Sequence, residues 1–421
     1  MGPVLSQPTL SLPFFVLLLI TSTVLQSKFT LAQIDTQSEV TTPINLQELI
    51  DEVFYPPPES SSLSPNNDFD STTEQGQCTC VPYYLCTNNQ TINTDGTGLI
   101  DIRFKDGPCT NYMEMCCNHP MDINDYTTQS PSKYKETYKG CGHWNSDGIG
   151  FRITGHTNNE AQFAEFPWMM AIFTEDNSNF KFLCGGSLIH PSVVLTTYHC
   201  LQKFINDQGK LVIRAGEWDT QTELENFRHQ DRFVKKIIRH EKYYGGALHN
   251  DVALVIVNEP FVLMDNVGTM CLPPQNFVFN QEKCYASGWG TDVFGKTGVY
   301  QIILKKIVLP IVPKHPCEAA LKRTRLGQGF KLHESFICAG GESGKDTCKG
   351  DGGSPLMCPT PENHEKFHQA GMVAWGIGCG EDGTPGVYVN VPLFRNWIDK
   401  QMREHGFETI YYDAYYSGNY V

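Results

Sequence analysis

The chain has 421 residues, 40% of them hydrophobic and 19% charged, with a net charge of −14. That length exceeds one average domain and allows a sizeable core plus smaller modules. The acidic balance argues against a nucleic-acid binder, which needs a basic face, and the 16 cysteines, an even number, point to disulfides made in an oxidising compartment.

Taken from the N-terminus, Leu12 to Ile20 reads LPFFVLLLI, an apolar run of the length of a signal-peptide core and too short to span a membrane. Thr30 and Ala32 supply small residues for cleavage after Ala32, so residues 1–32 are expected to be removed and the protein secreted. No later run approaches the ~20 apolar residues of a membrane span. Residues 33–77, rich in Pro, Ser and acidic side chains, carry too few apolar groups to offset chain entropy and are expected to be disordered. Residues 78–117 hold six cysteines, too many for chance and in too short a stretch for a self-sufficient core. Six cysteines allow fifteen connectivities, and spacing alone does not choose among them. Asn89 opens an NQT glycosylation sequon within this module. A polar linker follows over 118–140.

From Cys141 to Gly406 the pattern changes to many short strands. FLCGGSLIHPSVVLTT, LVIRAGEW, DVALVIV and GMVAWGI are apolar, β-branched and broken by Gly or Pro, which predicts an all-β domain. One helix is predicted near the end, over Pro392–Glu404, because Phe394, Trp397, Ile398 and Met402 fall close to one face. Residues 407–421 form a tail with tyrosines at 411, 412, 415, 416 and 420, expected to be a disordered extension.

Three sites in this region belong to one chemistry. Nucleophilic acyl transfer by a serine needs a hydroxyl, a histidine to take its proton, and a buried carboxylate to hold the histidine's tautomer. His199 lies in VVLTTYHC at the end of an apolar strand, and Asp251 in HNDVALV at the start of another. The third segment, DTCKGDGGSPLMC, has Gly352 after Asp351, and its nearest hydroxyl is Ser354, two residues on.

FPWM, CGGSLI, TYHC, NDVAL, CYASGWG, DTCKGDGGSPL, VAWGIGCG and TPGVYVNV occur in the order of the landmarks of chymotrypsin-type serine proteases, and residues 78–117 resemble a clip domain with its adjacent pair Cys116 and Cys117. The chain as a whole resembles the arthropod clip-domain serine protease homologues, the non-catalytic group that includes cofactors of prophenoloxidase activation. The resemblance implies a chymotrypsin-like double β-barrel with a C-terminal helix, preceded by a small disulfide-rich clip domain. It implies the pairs Cys78–Cys116, Cys80–Cys109 and Cys86–Cys117 in the clip. In the larger domain it implies Cys184–Cys200, Cys284–Cys358, Cys317–Cys338 and Cys348–Cys379, with Cys141–Cys271 tying the linker to that domain.

In the family the residue aligned with Gly352 is the nucleophile, and glycine offers nothing for His199 to activate. A residue two places on along an extended chain lies up to ~7 Å away, whereas a productive hydroxyl must sit within about 3 Å of the histidine nitrogen. The expectation is a protease fold without protease chemistry, in which His199 and Asp251 are vestiges or structural partners; catalysis through Ser354 is the contrary reading. Gly350 and Gly352 are placed to offer the N–H groups of an oxyanion hole. Asp346, Gly376 and Gly386 match the floor and walls of a pocket for Arg or Lys, read as inherited, with Asp346 satisfied by water; docking of a partner's basic side chain is the alternative. Ala374 stands where the family has a serine.

Family activation cuts before an Ile whose new amine pairs with an aspartate; the matching residues are Arg152, Ile153 and Asp351. Arg103, in the clip, is preferred as the processing site. GEWDTQTELEN matches a calcium loop, with Glu217, Asp219, Thr222 and Glu225 as ligand candidates. No organic cofactor is expected. The partners implied are prophenoloxidase and its activating clip protease in hemolymph, with an oligomer after cleavage. Other readings are a protein of microbial surfaces or lectins, or a decoy regulator of clip proteases; the tail is a candidate for contact with, or oxidation by, a phenoloxidase.

Overall fold

The computed structural model describes residues 79–82, 114–117, 139–149, 159–176, 179–222, 225, 227–280, 283–291, 300–360 and 363–414. In the cysteine-rich module, β1 (Thr79–Pro82) and β2 (Glu114–Cys117) pair antiparallel, with Cys80 opposite Cys116 and Thr79 opposite Cys117. Cys80 is disulfide-bonded. Cys78, Cys86 and Cys109, one member of each pairing implied for this module, lie outside the described residues, as do Asn89 and Arg103.

The larger region is all-β in two halves. The first is a closed antiparallel barrel of β3 (Met169–Asp176), β4 (Asn179–His190), β5 (Val193–Thr196), β6 (Leu211–Ala215), β7 (Gln230–Arg239) and β8 (Ala253–Val257), in the order β3-β4-β5-β8-β7-β6. Pro191 and Ser192 separate β4 from β5, as the break in the apolar run predicts. The inner residues Ile172, Leu188, Val194, Ile213 and Val255 pack into one cluster.

The second half is a seven-stranded antiparallel sheet of β9 (Cys284–Gly288), β10 (Lys305–Leu309), β11 (Ile311–Val312), β12 (Phe336–Ala339), β13 (Pro355–Pro359), β14 (Phe367–Trp375) and β15 (Gly386–Asn390). Its order, β10-β9-β13-β14-β15-β12-β11, starts and ends on strands that adjoin in the chain, separated only by Pro310. Proline has no N–H to donate to a ladder, so it falls where the strand passes from one neighbour to the other. The sheet thereby curls back on itself, as the second barrel of the expected fold.

Two helices follow the apolar faces available to them. α1 (Lys314–Lys322) was not visible to periodicity: its buried residues are Cys317, Ala320 and Leu321, and cysteine and alanine are weak signals. α2 (Arg395–Glu404) follows a 3₁₀ turn at Val391–Phe394, which contains Pro392. Phe394, Ile398 and Met402 are buried between the two halves with Trp397 packed against them. The expected disordered tail is corrected in its first part. Tyr412 is fully buried, its carbonyl accepts the Leu272 N–H at 2.9 Å, and its hydroxyl donates to Asp399 at 2.8 Å. The packed region therefore extends to residue 414, and Tyr415, Tyr416 and Tyr420 lie outside the described residues.

Five disulfides close this region: Cys141–Cys271, Cys184–Cys200, Cys284–Cys358, Cys317–Cys338 and Cys348–Cys379. They coincide with the pairs that the resemblance implies for it.

Candidate active-site remnant

The end of β5 and the start of β8 bring His199 and Asp251 together. Thr196 of β5 pairs with Ala253 of β8, so the residues just beyond one strand and just before the other share an edge. His199 Nδ1 lies 2.6 Å from Asp251 Oδ2, and the His199 backbone N–H donates to Asp251 Oδ1 at 2.8 Å. Both side chains are fully buried. A carboxylate on Nδ1 holds the proton there and leaves Nε2 as the basic nitrogen, the tautomer needed to take a proton from a nucleophile. The catalytic half that survives is therefore chemically poised.

The other half is missing. Gly352 carries no side chain, and its carbonyl accepts the Gly185 N–H at 2.9 Å, which fixes the turn against β4. Ser354 is held behind that turn. Its N–H donates to the Asp351 carbonyl at 2.9 Å, and its own carbonyl accepts the Val373 N–H at 2.9 Å, just before β13 begins. Its Oγ occupies the space that a Cβ on Gly185 would take, is fully buried, and has no hydrogen-bond partner among the described residues. It makes no hydrogen bond to His199, so the arrangement needed for a displaced nucleophile is absent. His199 Nε2 lies 3.6 Å from Cys200 Sγ. Cys184, His199 and Cys200 cluster closely, but the two sulfurs are bonded to each other and are not thiolate ligands.

Asp346, Gly376 and Gly386 do converge, around a space of about 20 Å³ that Lys349 and Trp375 also line. Asp346 also borders a neighbouring cavity of about 430 Å³. Asp346 accepts the N–H groups of Thr347 at 2.8 Å and Gly380 at 3.4 Å, and burial pushes its carboxyl up to about 7. Trp375, beside the same space, is buried, with Phe330 and Phe336 edge-on to it at 6.0 and 5.9 Å. Phe330 comes from the turn between α1 and β12. Its covering role was not legible in the sequence, where an isolated aromatic in a polar loop carries no spacing signal.

Gly350 takes φ +94°, and the ring of Tyr300 stands where its Cβ would be. Asp351 is buried and accepts N–H groups from Gly290 and Cys348, both at 2.8 Å. Burial pushes its carboxyl up to about 6, and no described cation pairs with it. It borders a cavity of about 430 Å³ that Asp346, Ser287, Lys305 and Lys306 also line. The two lysines are engaged with Glu160 and Glu165. Arg152 and Ile153 lie outside the described residues.

The acidic loop after β6 gathers its expected residues. Asp219 accepts the Thr222 hydroxyl at 2.9 Å and the Gln221 N–H at 2.9 Å, and Glu225 accepts the Asp219 N–H at 3.0 Å. Arg214 donates to Glu217 at 2.9 Å. Burial, then the charges of Glu217 and Asp219, push the Glu225 carboxyl up to about 8. Three buried carboxylates, Glu217, Asp219 and Glu225, thus lie in one loop, and Arg214 engages one Glu217 oxygen.

The chain matches the trypsin family over residues 155–398, and the serine protease clip domain of the PPAF-2 type over residues 67–118. It is 47% identical over 298 residues to phenoloxidase-activating factor 2 of Galleria mellonella, covering 68% of this chain and 97% of that protein. It is 36% identical to the inactive CLIP domain-containing serine protease A28 of Anopheles gambiae, covering 77% of this chain and 88% of that protein. The same mosquito's inactive CLIP domain-containing serine protease A8 is 35% identical, over 78% of this chain and 91% of that protein. With a trypsin fold and a clip region, the chain belongs to the trypsin family, among its clip-domain serine protease homologues related to phenoloxidase activation.

Proposed function

We propose that the protein is a secreted, non-catalytic cofactor of the prophenoloxidase cascade, acting in hemolymph on prophenoloxidase and its activating clip protease, and switched by a cut after Arg103. The observation that carries this reading is a buried His199–Asp251 pair in a chain with glycine at position 352. A chain that keeps the fold and the clip but has no nucleophile acts by binding.

Two finer assignments belong to this proposal. Calcium is bound by Glu217, Asp219, Thr222 and Glu225, supported by three buried carboxylates in one loop. The mature chain begins after Ala32, with the clip, linker and protease-like domain in that order.

The test mixes purified protein with prophenoloxidase and its activating protease and reads phenoloxidase activity. The proposal expects activity to rise with the wild type cut at Arg103, and not with Arg103→Gln. A rise that is equal for both would sink the switch at Arg103. No rise for either would sink the cofactor role and favour microbial-surface binding or a decoy.

A further inference from the structure

Two imidazoles stack where the halves of the protease-like region meet. His249 closes the turn over residues 240–250, between β7 and β8 of the closed barrel, and His333 stands just before β12 of the second sheet. Their ring centroids are 3.9 Å apart and their planes differ by 9°.

The hydrogen bonds around the pair set its protonation. The Asn250 N–H donates to Ser335 Oγ at 3.2 Å, so the Ser335 hydroxyl proton is free to go to His333 Nδ1, 2.8 Å away. The Ser335 N–H points at the same nitrogen from 3.2 Å. His333 Nδ1 is therefore an acceptor, with the ring hydrogen on Nε2. A proton added at Nδ1 would face the Ser335 N–H, turn the Ser335 hydroxyl hydrogen away, and place a charge against the His249 ring. Burial, then the charge of His333, already holds His249 below its ordinary range.

Nothing charged nearby offsets a second proton. Among the described residues no carboxylate pairs with either ring. Lys242 shares the His249 turn, its carbonyl accepting from the Asn250 side chain at 2.9 Å. Lys331 and Glu334 flank His333 in the chain and are exposed, and Asp251 is committed to His199. Tyr244 and Phe336, the other ring neighbours of His249, are neutral. The turn itself is under tension, with Leu248 and Asn250 both in the left-handed region at φ +50° and +54°.

We propose that the stacked His249–His333 pair is a proton-operated clasp that holds the 240–250 turn to the second sheet at neutral pH and releases it in acid. The release would loosen the segment that carries exposed Tyr244 and leads into Asp251. A group whose protonation is disfavoured in the fold stabilises it above its unfolded pKa of about 6.5 and loses that contribution as pH falls below it.

The test uses the intact chain. Hydrogen exchange at the imidazole carbon, read by mass spectrometry, titrates each histidine, and backbone exchange reports on residues 240–250. The His249 ring is expected to titrate below about 6.5. Backbone exchange of the turn is expected to rise beyond the intrinsic rate change between pH 7.5 and 5.5. His249→Phe keeps a ring against His333, removes one charge and should abolish that rise. A rise that persists in His249→Phe, or a His249 ring that titrates at or above about 6.5, would overturn the clasp. Should His249→Phe not fold, the titration of the wild-type His249 ring decides alone.

Discussion

His199 Nδ1 lies 2.6 Å from Asp251 Oδ2 inside the protein, and the same carboxylate takes the His199 backbone N–H at 2.8 Å. The pair ties the end of β5 to the start of β8, next to the ladder that closes the first barrel. Its retention beside Gly352 follows from that structural duty. His199→Ala would leave the Asp251 carboxylate buried with one donor. We expect it to lower unfolding free energy by about 3–5 kcal/mol, the usual cost of removing one partner of a buried pair. Denaturant unfolding checks this, and a loss below about 1 kcal/mol would mean the pair holds nothing together.

Ser354 offers the converse case. Its hydroxyl is buried without a hydrogen-bond partner among the described residues. Ser354→Ala should raise stability by about 1 kcal/mol, because a buried unsatisfied group is removed. Neither the wild type nor this variant should be labelled by a fluorophosphonate. Labelling of the wild type that disappears in Ser354→Ala would restore the displaced-nucleophile reading.

The acidic loop predicts coupled pH and calcium behaviour. Glu225 is raised to about 8 in the fold against an ordinary value near 4.5. The folded chain thus holds a proton that the unfolded chain releases, so without calcium its contribution to stability is full below about pH 4.5 and is lost as pH rises through about 8. In a chelator, the melting temperature should fall between pH 5 and 8, and Glu225→Gln should flatten that fall. Calcium competes with the proton, so calorimetric titration should find tighter binding at pH 8 than at pH 6. Binding that is independent of pH, or absent, would remove the site.

The Cys141–Cys271 bond separates the two processing sites. It joins residues 130 positions apart and would link the fragments left by a cut after Arg152. A cut after Arg103 leaves Cys141 and Cys271 on one fragment. In a Cys141→Ser, Cys271→Ser double variant, non-reducing electrophoresis after physiological processing should therefore still show an intact band. Release of a fragment would assign the cut to Arg152.

Much of the fold was legible because its signals are local. Apolar β-branched runs marked β4, β5, β6, β8 and β14, the Phe394–Met402 face marked α2, and the resemblance supplied the five cysteine pairs of the larger region. Position by position, the same reading named His199 and Asp251, which the structure brings within hydrogen-bond distance. What it missed depends on close packing between distant segments. The space at Asp346 is set by Lys349 and Trp375, and Trp375 is covered by Phe330 from a turn 45 residues earlier. The tail was misread because polar and tyrosine-rich composition hides its anchors, chief among them Tyr412, whose ring is buried against Arg395 at 5.1 Å.

The central claim is that this chain promotes phenoloxidase formation without chemistry of its own. The most direct measurement is phenoloxidase activity from prophenoloxidase and its activating protease, with wild-type protein cut at Arg103 compared with the equally cut and folded Asp251→Asn, Ser354→Ala variant. That double change removes the tautomer-holding charge and the Ser354 hydroxyl. The account predicts equal stimulation by both. Stimulation by the wild type that vanishes in the folded variant would show that the site still reacts, and would contradict it.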